Sequence, residues 1–227
     1  MKISEIFCSV QGEGPNAGKK AVFLRMALCN LTCEWCDTKY TWDWKNYDYE
    51  KEVKERSNEQ VKRELLSHGI RHLVLTGGEP LLQQHLLVPL LSSLKELGFF
   101  VEVETNCTIS PLSELIALVD QWNISPKLEN SGNSASVREK PETYIFFRQL
   151  SNAYFKYVVD APEDLAEVQM LAEKYAIPVG RIILMPEART REELATKGEW
   201  LEQASKQFGY LFSTRLQVQL FGDRRGV

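Results

Sequence analysis

AVFLRMALCNLTCEWC, residues 21–36, decides how the rest of the chain is read. Ala21 to Leu28 is apolar except at Arg25, the pattern of a strand buried on both faces. Cys29, Cys33 and Cys36 follow at once, spaced C-x3-C-x2-C, on the loop that leaves this strand. Downstream, Asn58 to His68 reads as a helix capped by Ser57 or Asn58. Arg71 to Thr76 is a β-rich run that ends in Gly77-Gly78-Glu79-Pro80. Leu81 to Leu97 suits a helix stopped by Gly98, and Pro89 predicts a kink or a late start. Phe99 to Thr105 alternates as a strand, Pro111 to Leu118 is a short helix with Ser110 as its cap, and Asp120 to Ser125 is a strand. Tyr154–Val159 and Arg181–Met185 read as strands, and Pro162–Tyr175 and Arg191–Phe208 as helices. Tyr210–Leu220 reads as a final strand. Residues 41–57 read as a surface insertion or lid, and 128–143 as a polar loop.

Strand and helix patterns thus alternate about six times, which implies a parallel sheet with right-handed crossovers. Six units are too few for an eight-stranded closed barrel. The expected fold is α/β, a partial (open) parallel β/α barrel of about six strand–helix units. The chemically distinctive segments fall at C-terminal strand ends, where such folds place ligands: the cysteine loop, GGEP at 77–80, ETN at 104–106 and SPK at 125–127. No internal repeat or linker is visible, so a single domain over 1–227 is expected.

Composition narrows the function classes. The 227 residues are 44% hydrophobic and 26% charged, which argues against wholesale disorder. The net charge of −4 lacks the basic footprint of a general nucleic-acid binder. No apolar run approaches the ~18 residues that span a bilayer. The first residues carry no apolar signal core, so a cytoplasmic location is expected.

Five cysteines, an odd number, argue against a disulfide framework. Cys8 and Cys107 stand alone and read as small buried hydrophobes. The three clustered thiols can converge on one soft metal centre. Structural zinc wants four ligands, and His68, His72 and His85 lie well downstream, so zinc would need a distant fourth ligand. A 4Fe–4S cubane on three thiolates would keep one iron open for chemistry. Both readings stay open on spacing alone.

C-x3-C-x2-C after a first strand, with Trp35 before the last cysteine and GGEP after the second strand, resembles the radical S-adenosylmethionine (SAM) superfamily. A narrower resemblance, to the 7-carboxy-7-deazaguanine synthases, rests on Glu5-Ile6-Phe7, Val10-Gln11-Gly12-Glu13-Gly14, Gly18 and Phe23-Leu24-Arg25. It extends through Cys36-Asp37-Thr38, Thr76 to Pro80, Glu104-Thr105-Asn106 and Ser125-Pro126-Lys127, and Arg215-Leu216 to Arg225-Gly226-Val227 looks like one branch of that family. The resemblance implies an N-terminal substrate-binding segment (about 1–20) and a C-terminal extension (about 209–227).

It also implies roles. Cys29, Cys33 and Cys36 would hold a 4Fe–4S cluster whose open iron chelates SAM. One electron from the cluster would cleave SAM to a 5′-deoxyadenosyl radical. Trp35, Cys36, Asp37, Gly78, Glu79, Asn106, Ser125, Pro126 and Lys127 would bind SAM. Val10, Gln11, Gly12, Glu13, Arg25 and Thr76 would bind 6-carboxy-5,6,7,8-tetrahydropterin, with Arg25 on its carboxylate. Thr38 would hold Mg²⁺. The implied reaction is ring contraction with loss of ammonia, a step toward queuosine. No protein acid–base pair is expected to be catalytic, because the radical arises on the cofactor. An external one-electron donor such as a flavodoxin, and a homodimer, are the family expectation. The rival readings are another radical SAM enzyme, on a different small molecule or a protein, and a non-catalytic iron–sulfur electron carrier.

Overall fold

The alternation of side chains along the strands builds one curved sheet with two unlike faces. The computed structural model describes residues 1–227. Its strands are β1 (Lys2–Val10), β2 (Lys20–Met26), β3 (Lys54–Glu55), β4 (His72–Gly77), β5 (Phe100–Thr105), β6 (Gln121–Ile124), β7 (Ala153–Val159), β8 (Ile182–Pro186) and β9 (Leu211–Phe212). They form a single sheet in the order β3-β1-β2-β4-β5-β6-β7-β8-β9. From β2 to β9 neighbouring strands run parallel, while β1 lies antiparallel to both β2 and β3. The edge strands β3 and β9 do not meet, so the barrel is open, as the strand count predicts.

The helices are α1 (Tyr49–Glu52), α2 (Asn58–Ser67), α3 (Gln84–Glu96), α4 (Ser113–Leu118), α5 (Ala135–Arg138), α6 (Pro141–Gln149), α7 (Asp164–Lys174), α8 (Arg191–Phe208) and α9 (Leu216–Phe221). On the sheet's convex face Val22, Leu24, Met26, Leu73, Leu75, Val101, Val103, Trp122, Ile124, Phe155, Tyr157, Ile182 and Leu184 join helix residues in a core of 36 buried side chains. The period of two then turns the intervening residues to the concave face. There β5 places Glu102 and Glu104, β6 places Gln121 and Asn123, and β7 places Lys156. The concave face is therefore polar where the convex face is oily.

Several expectations need correction. β1 was not anticipated as a strand: its alternation is irregular, and its pairing with β2 makes up for it with a long antiparallel register. Tyr210–Leu220 is not one strand. Only Leu211–Phe212 pairs with β8, and the Leu216 N–H then turns to the Gly12 carbonyl at 3.0 Å, opening α9. The 41–57 segment is no free lid: it forms α1 and β3, and β3 pairs with β1. The 128–143 stretch contains a 3-10 turn at Glu129–Ser131, α5 and the start of α6. Ser110 does not cap α4; Leu112 holds that position with no side-chain hydrogen bond. Pro89 does not set the helix start: α3 begins at Gln84, after a 3-10 turn over Pro80–Gln83, and carries Pro89 in its interior.

Glu102 anchors the floor of the concave face and is fully buried. Its two oxygens meet Gln11 Nε2 at 2.7 Å, Asn16 Nδ2 at 2.8 Å, His72 Nε2 at 3.0 Å and the Asn123 amide. These partners come from the β1–β2 connection, β4 and β6, so one carboxylate ties the Gln11–Asn16 loop to the sheet. Removing it leaves several buried polar groups without partners, each worth about 1–3 kcal/mol. Glu102→Leu is expected to lower unfolding free energy by at least about 3 kcal/mol in urea titrations, whereas Glu59→Leu on the exposed face of α2 should change it little.

Candidate active site

The cysteine loop is held where two backbones touch. The Gly78 N–H donates to the Met26 carbonyl at 3.0 Å, and the Glu79 N–H to the Leu28 carbonyl at 2.8 Å. A Cβ on Gly78 would lie 2.1 Å from the Leu28 oxygen. No other residue fits there without moving the loop. Leu28 itself has a φ of 76°, so the chain turns sharply just before Cys29. Behind this contact Glu79 is fully buried and accepts from the Leu81 N–H at 3.0 Å, the Thr105 hydroxyl at 2.9 Å and the Asn106 N–H at 2.7 Å. Burial pushes its carboxyl above the usual range despite those donors. The GGEP turn thus locks the ends of β2, β4 and β5 together.

The three thiols open into one cavity of about 300 Å³ at the C-terminal end of the sheet. Each sulfur receives N–H donors. Cys29 has the Leu31 N–H at 3.5 Å and Asn106 Nδ2 at 3.9 Å. Asn133 Nδ2 reaches Cys33 at 3.3 Å, and Trp42 Nε1 reaches Cys36 at 3.3 Å. Such donors suit thiolates that carry negative charge on a cluster. The donor set therefore fits a cluster. Burial pushes the Cys29 thiol up to about 12 and raises Cys33 as well. Metal loading must then displace those protons.

The same cavity is lined by a network of paired charges. Glu13 is held by Lys156, by Arg215 Nε at 3.2 Å and by Gln217 Nε2 at 2.7 Å. Burial would raise its carboxyl, but Lys156 and Arg215 outweigh that and hold it at about 2. Arg215 also pairs with Asp37 and donates to the Ala188 carbonyl at 2.6 Å. A Cβ on Gly12 would fall 1.8 Å from Gln217 Oε1, so a glycine there lets α9 close over the Gln11–Glu13 segment. Arg25 donates through Nε to Glu5 at 2.7 Å, while its two terminal nitrogens bond no protein group. Glu5 also accepts from Tyr40 at 2.9 Å and from Arg225 at 3.1 Å. Burial works against its charge, yet Arg25, Tyr40 and Arg225 bring its pKa below the ordinary value. Arg225 stacks 3.7 Å above the Tyr40 ring, which brings the C-terminal tail against the cavity.

Cys29, Cys33, Trp35, Cys36, Asp37, Thr38, Gly78, Asn106, Ser125 and Lys127 all line this cavity, with Val10, Gln11, Gly12, Glu13, Arg25 and Thr76. Glu79 and Pro126 do not; they sit behind it. Gln11 and Thr76 are already engaged, Gln11 by Glu102 and Glu104, and Thr76 by Glu104 at 2.8 Å. Lys127 Nζ donates to Ser125 and stands 5.5 Å over the Trp35 ring. Sequence reading missed Glu104, Lys156, Arg189 and Arg215. Lys156 had a signal, a lone cation within the apolar YFKYVV strand, and Glu104 had another, the inward position in FVEVET. Arg189, which donates to the Cys36 carbonyl at 2.6 Å, had none.

An open parallel β/α barrel with three cysteines after its first parallel strand, beside a Gly-Gly-Glu-Pro turn, defines a protein of the radical SAM class. Residues 10–127 match the family described as a 4Fe-4S single cluster domain. The chain is 39% identical to a 7-carboxy-7-deazaguanine synthase of Pyrobaculum aerophilum, over all of this chain and 97% of that protein. It is 33% identical to the Rhodopirellula baltica protein of the same name, over 99% of this chain and 88% of that one. The crystal structure of QueE from Escherichia coli superposes with a TM-score of 0.68 at 25% identity, covering 95% of this chain and 93% of that one. The chain belongs to the 7-carboxy-7-deazaguanine synthase family.

Because the Glu13 carboxyl is depressed from 4.5 to about 2 in the folded state, its stabilisation is full above pH 4.5 and is lost as pH falls toward 2. The effect amounts to roughly 3 kcal/mol. Urea unfolding of the metal-free protein should show a steep loss between pH 4.5 and 2. Glu13→Gln should be less stable at pH 7 and show a flatter acid limb.

Proposed function

We propose that this chain converts 6-carboxy-5,6,7,8-tetrahydropterin to 7-carboxy-7-deazaguanine with loss of ammonia, in 7-deazapurine (queuosine) biosynthesis. The observation that carries the reading is one cavity lined both by three N–H-supported thiols and by a half-free arginine, Arg25. Cys29, Cys33 and Cys36 would hold a 4Fe–4S cluster, which with SAM would supply the one-electron chemistry of the reaction.

The protein's part is to bind, orient and exclude water. Trp35, Cys36 and Asp37 lie beside the adenine. The Gly78 backbone meets the methionine amine, while Asn106, Ser125 and Lys127 reach the SAM carboxylate and ribose. Glu79 and Pro126 set the backbone behind them. Arg25 turns its two terminal nitrogens to the substrate carboxylate as a bidentate pair. Val10, Gln11, Gly12 and Glu13 face the pterin's amide and amine edge, and Thr76 adds a contact. Glu13, kept ionised by Lys156 and Arg215, accepts from donors on that edge. Thr38 would offer its hydroxyl to Mg²⁺, which would supply positive charge for the anionic substrate.

We read residues 1–227 as a single domain with the substrate segment at about 1–20 and the extension at about 209–227. It works in the cytoplasm as a homodimer reduced by an external one-electron donor such as a flavodoxin. No helix is long and apolar enough to cross a membrane.

Anaerobic incubation of the reconstituted protein with SAM, dithionite, Mg²⁺ and the carboxypterin should yield the deazapurine, detected by mass. SAM cleavage without that product would reject the substrate assignment. Arg25→Ala should reduce kcat/KM about 100-fold, the loss of a charge-assisted pair, while uncoupled SAM cleavage persists. Mg²⁺ dependence should disappear in Thr38→Ala; an unchanged dependence would remove Thr38 from that role.

A further inference from the structure

Two segments with no role in the expected site, the aromatic stretch after the cysteine loop and the polar stretch after β6, each send one side chain to a cysteine sulfur. Trp42 Nε1 is 3.3 Å from Cys36 Sγ. Asn133 Nδ2 is 3.3 Å from Cys33 Sγ. We propose that Trp42 and Asn133 are positioning residues that tune the reduction potential of the cluster through N–H···S hydrogen bonds. The inference rests on the reading of the three thiols as cluster ligands and adds to it a function for these two side chains.

The geometry supports a specific role for each donor. An indole nitrogen can only donate, and Trp42 Nε1 has the Cys36 sulfur as its partner. The ring is carried on the turn that follows the 3-10 segment Lys39–Thr41, where the Trp42 N–H bonds the Lys39 carbonyl at 3.0 Å. The Asn133 amide is oriented from its other end: Oδ1 accepts from the Thr32 N–H at 3.1 Å, which leaves Nδ2 facing the sulfur. The same Nδ2 lies 3.2 Å from Ser131 Oγ, and the Asn133 carbonyl accepts from Arg138 Nε at 3.1 Å, so its loop is fastened on both sides. Cys29 differs. Its nearest donor is the backbone of Leu31 at 3.5 Å, which no side-chain truncation removes.

Adding one electron to a cluster places more negative charge on its sulfurs. A donor aimed at a sulfur stabilises the reduced form more than the oxidised form and raises the potential. Such tuning matters in a site where a low-potential electron must enter on demand. The alternative role for both side chains is packing alone, and packing would not move a potential while the cluster stays intact.

The test uses full-length protein reconstituted anaerobically and titrated with dithionite under EPR. Unaltered protein should carry about four irons per chain and show a reduced-cluster signal. Trp42→Phe keeps the ring and loses the donor; Asn133→Ala loses the amide. Each variant should retain its iron and shift to a more negative midpoint, with a larger shift in the double variant. Unchanged midpoints in both iron-loaded single variants would overturn the proposal while leaving the proposed function standing. Failure of the unaltered protein to assemble any cluster would overturn both. If Trp42→Phe fails to assemble, Asn133→Ala decides alone, because it lies in a separate loop. Failure of both to hold iron would assign them to assembly and overturn the tuning role.

Discussion

The close approach of two strand ends, β2 to β4, is the constraint on which the rest of this site depends. At Gly78 the backbone comes so near the Leu28 carbonyl that any side chain would collide with it. Two hydrogen bonds, from Gly78 to Met26 and from Glu79 to Leu28, then fix where the cysteine loop begins. A loop of this length has few internal bonds of its own. Its conformation is inherited from the strand ends, which are among the most rigid parts of an α/β sheet. The buried Glu79 carboxylate extends the same lock to β5 through Thr105 and Asn106. Asn106 in turn approaches both Asn30 and Cys29. One rigid junction therefore sets three thiols and one amide that face the same space.

The second organising element is the polar concave face. A barrel interior packed with oil would leave no room for an anionic, planar ligand. Here the period-two pattern turns Glu102, Glu104, Asn123 and Lys156 inward. Buried charges of this kind must be matched, and removing one partner costs more than the pair contributes. The matches come from far along the chain: Lys156 to Glu13, Arg215 to Asp37 and Glu13, and Gln11 to Glu102. Beyond the strand pairing of β1 and β9, the N-terminal segment and the C-terminal extension are tied together by this charge matching and by the glycine-permitted contact of Gly12 with Gln217. That arrangement assembles the cavity wall from both ends of the polypeptide while leaving the terminal nitrogens of Arg25 without a protein partner.

Local signals carried much of this structure. Buried runs such as Ala21–Leu28, the alternation of Phe99–Thr105, and a helix cap such as Ser57 are short-range and read directly. The cysteine spacing and the GGEP turn read equally well, because each is a local device. What escaped was non-local. β1 is a strand because β2 offers it an antiparallel edge. Leu216–Phe221 is helical because Leu216 finds Gly12, more than two hundred residues away in sequence, and leaves the sheet. Trp42 and Asn133 looked like surface residues because nothing near them in sequence announces a sulfur acceptor. Arg189 and Arg215 are cations in unremarkable local surroundings whose partners lie across the cavity.

Radical chemistry explains why such non-local fastening suits this site. A carbon-centred radical reacts with whatever hydrogen donor it meets, so selectivity depends on holding one bond of the substrate near it and excluding the alternatives. A hinged lid closing over a loose pocket would leave that geometry to chance at each turnover. In this chain the walls are tied by buried ion pairs whose ionised partners have their pKa values pushed away from neutrality, as at Glu13 and Arg215. Changes of pH near neutral therefore leave those walls charged and in place. The C-terminal tail rests on Tyr40 and Glu5 through Arg225 at a partly exposed contact. Glu5 is also the partner of Arg25. Arg25 and the C-terminal tail are thus fastened to one shared carboxylate.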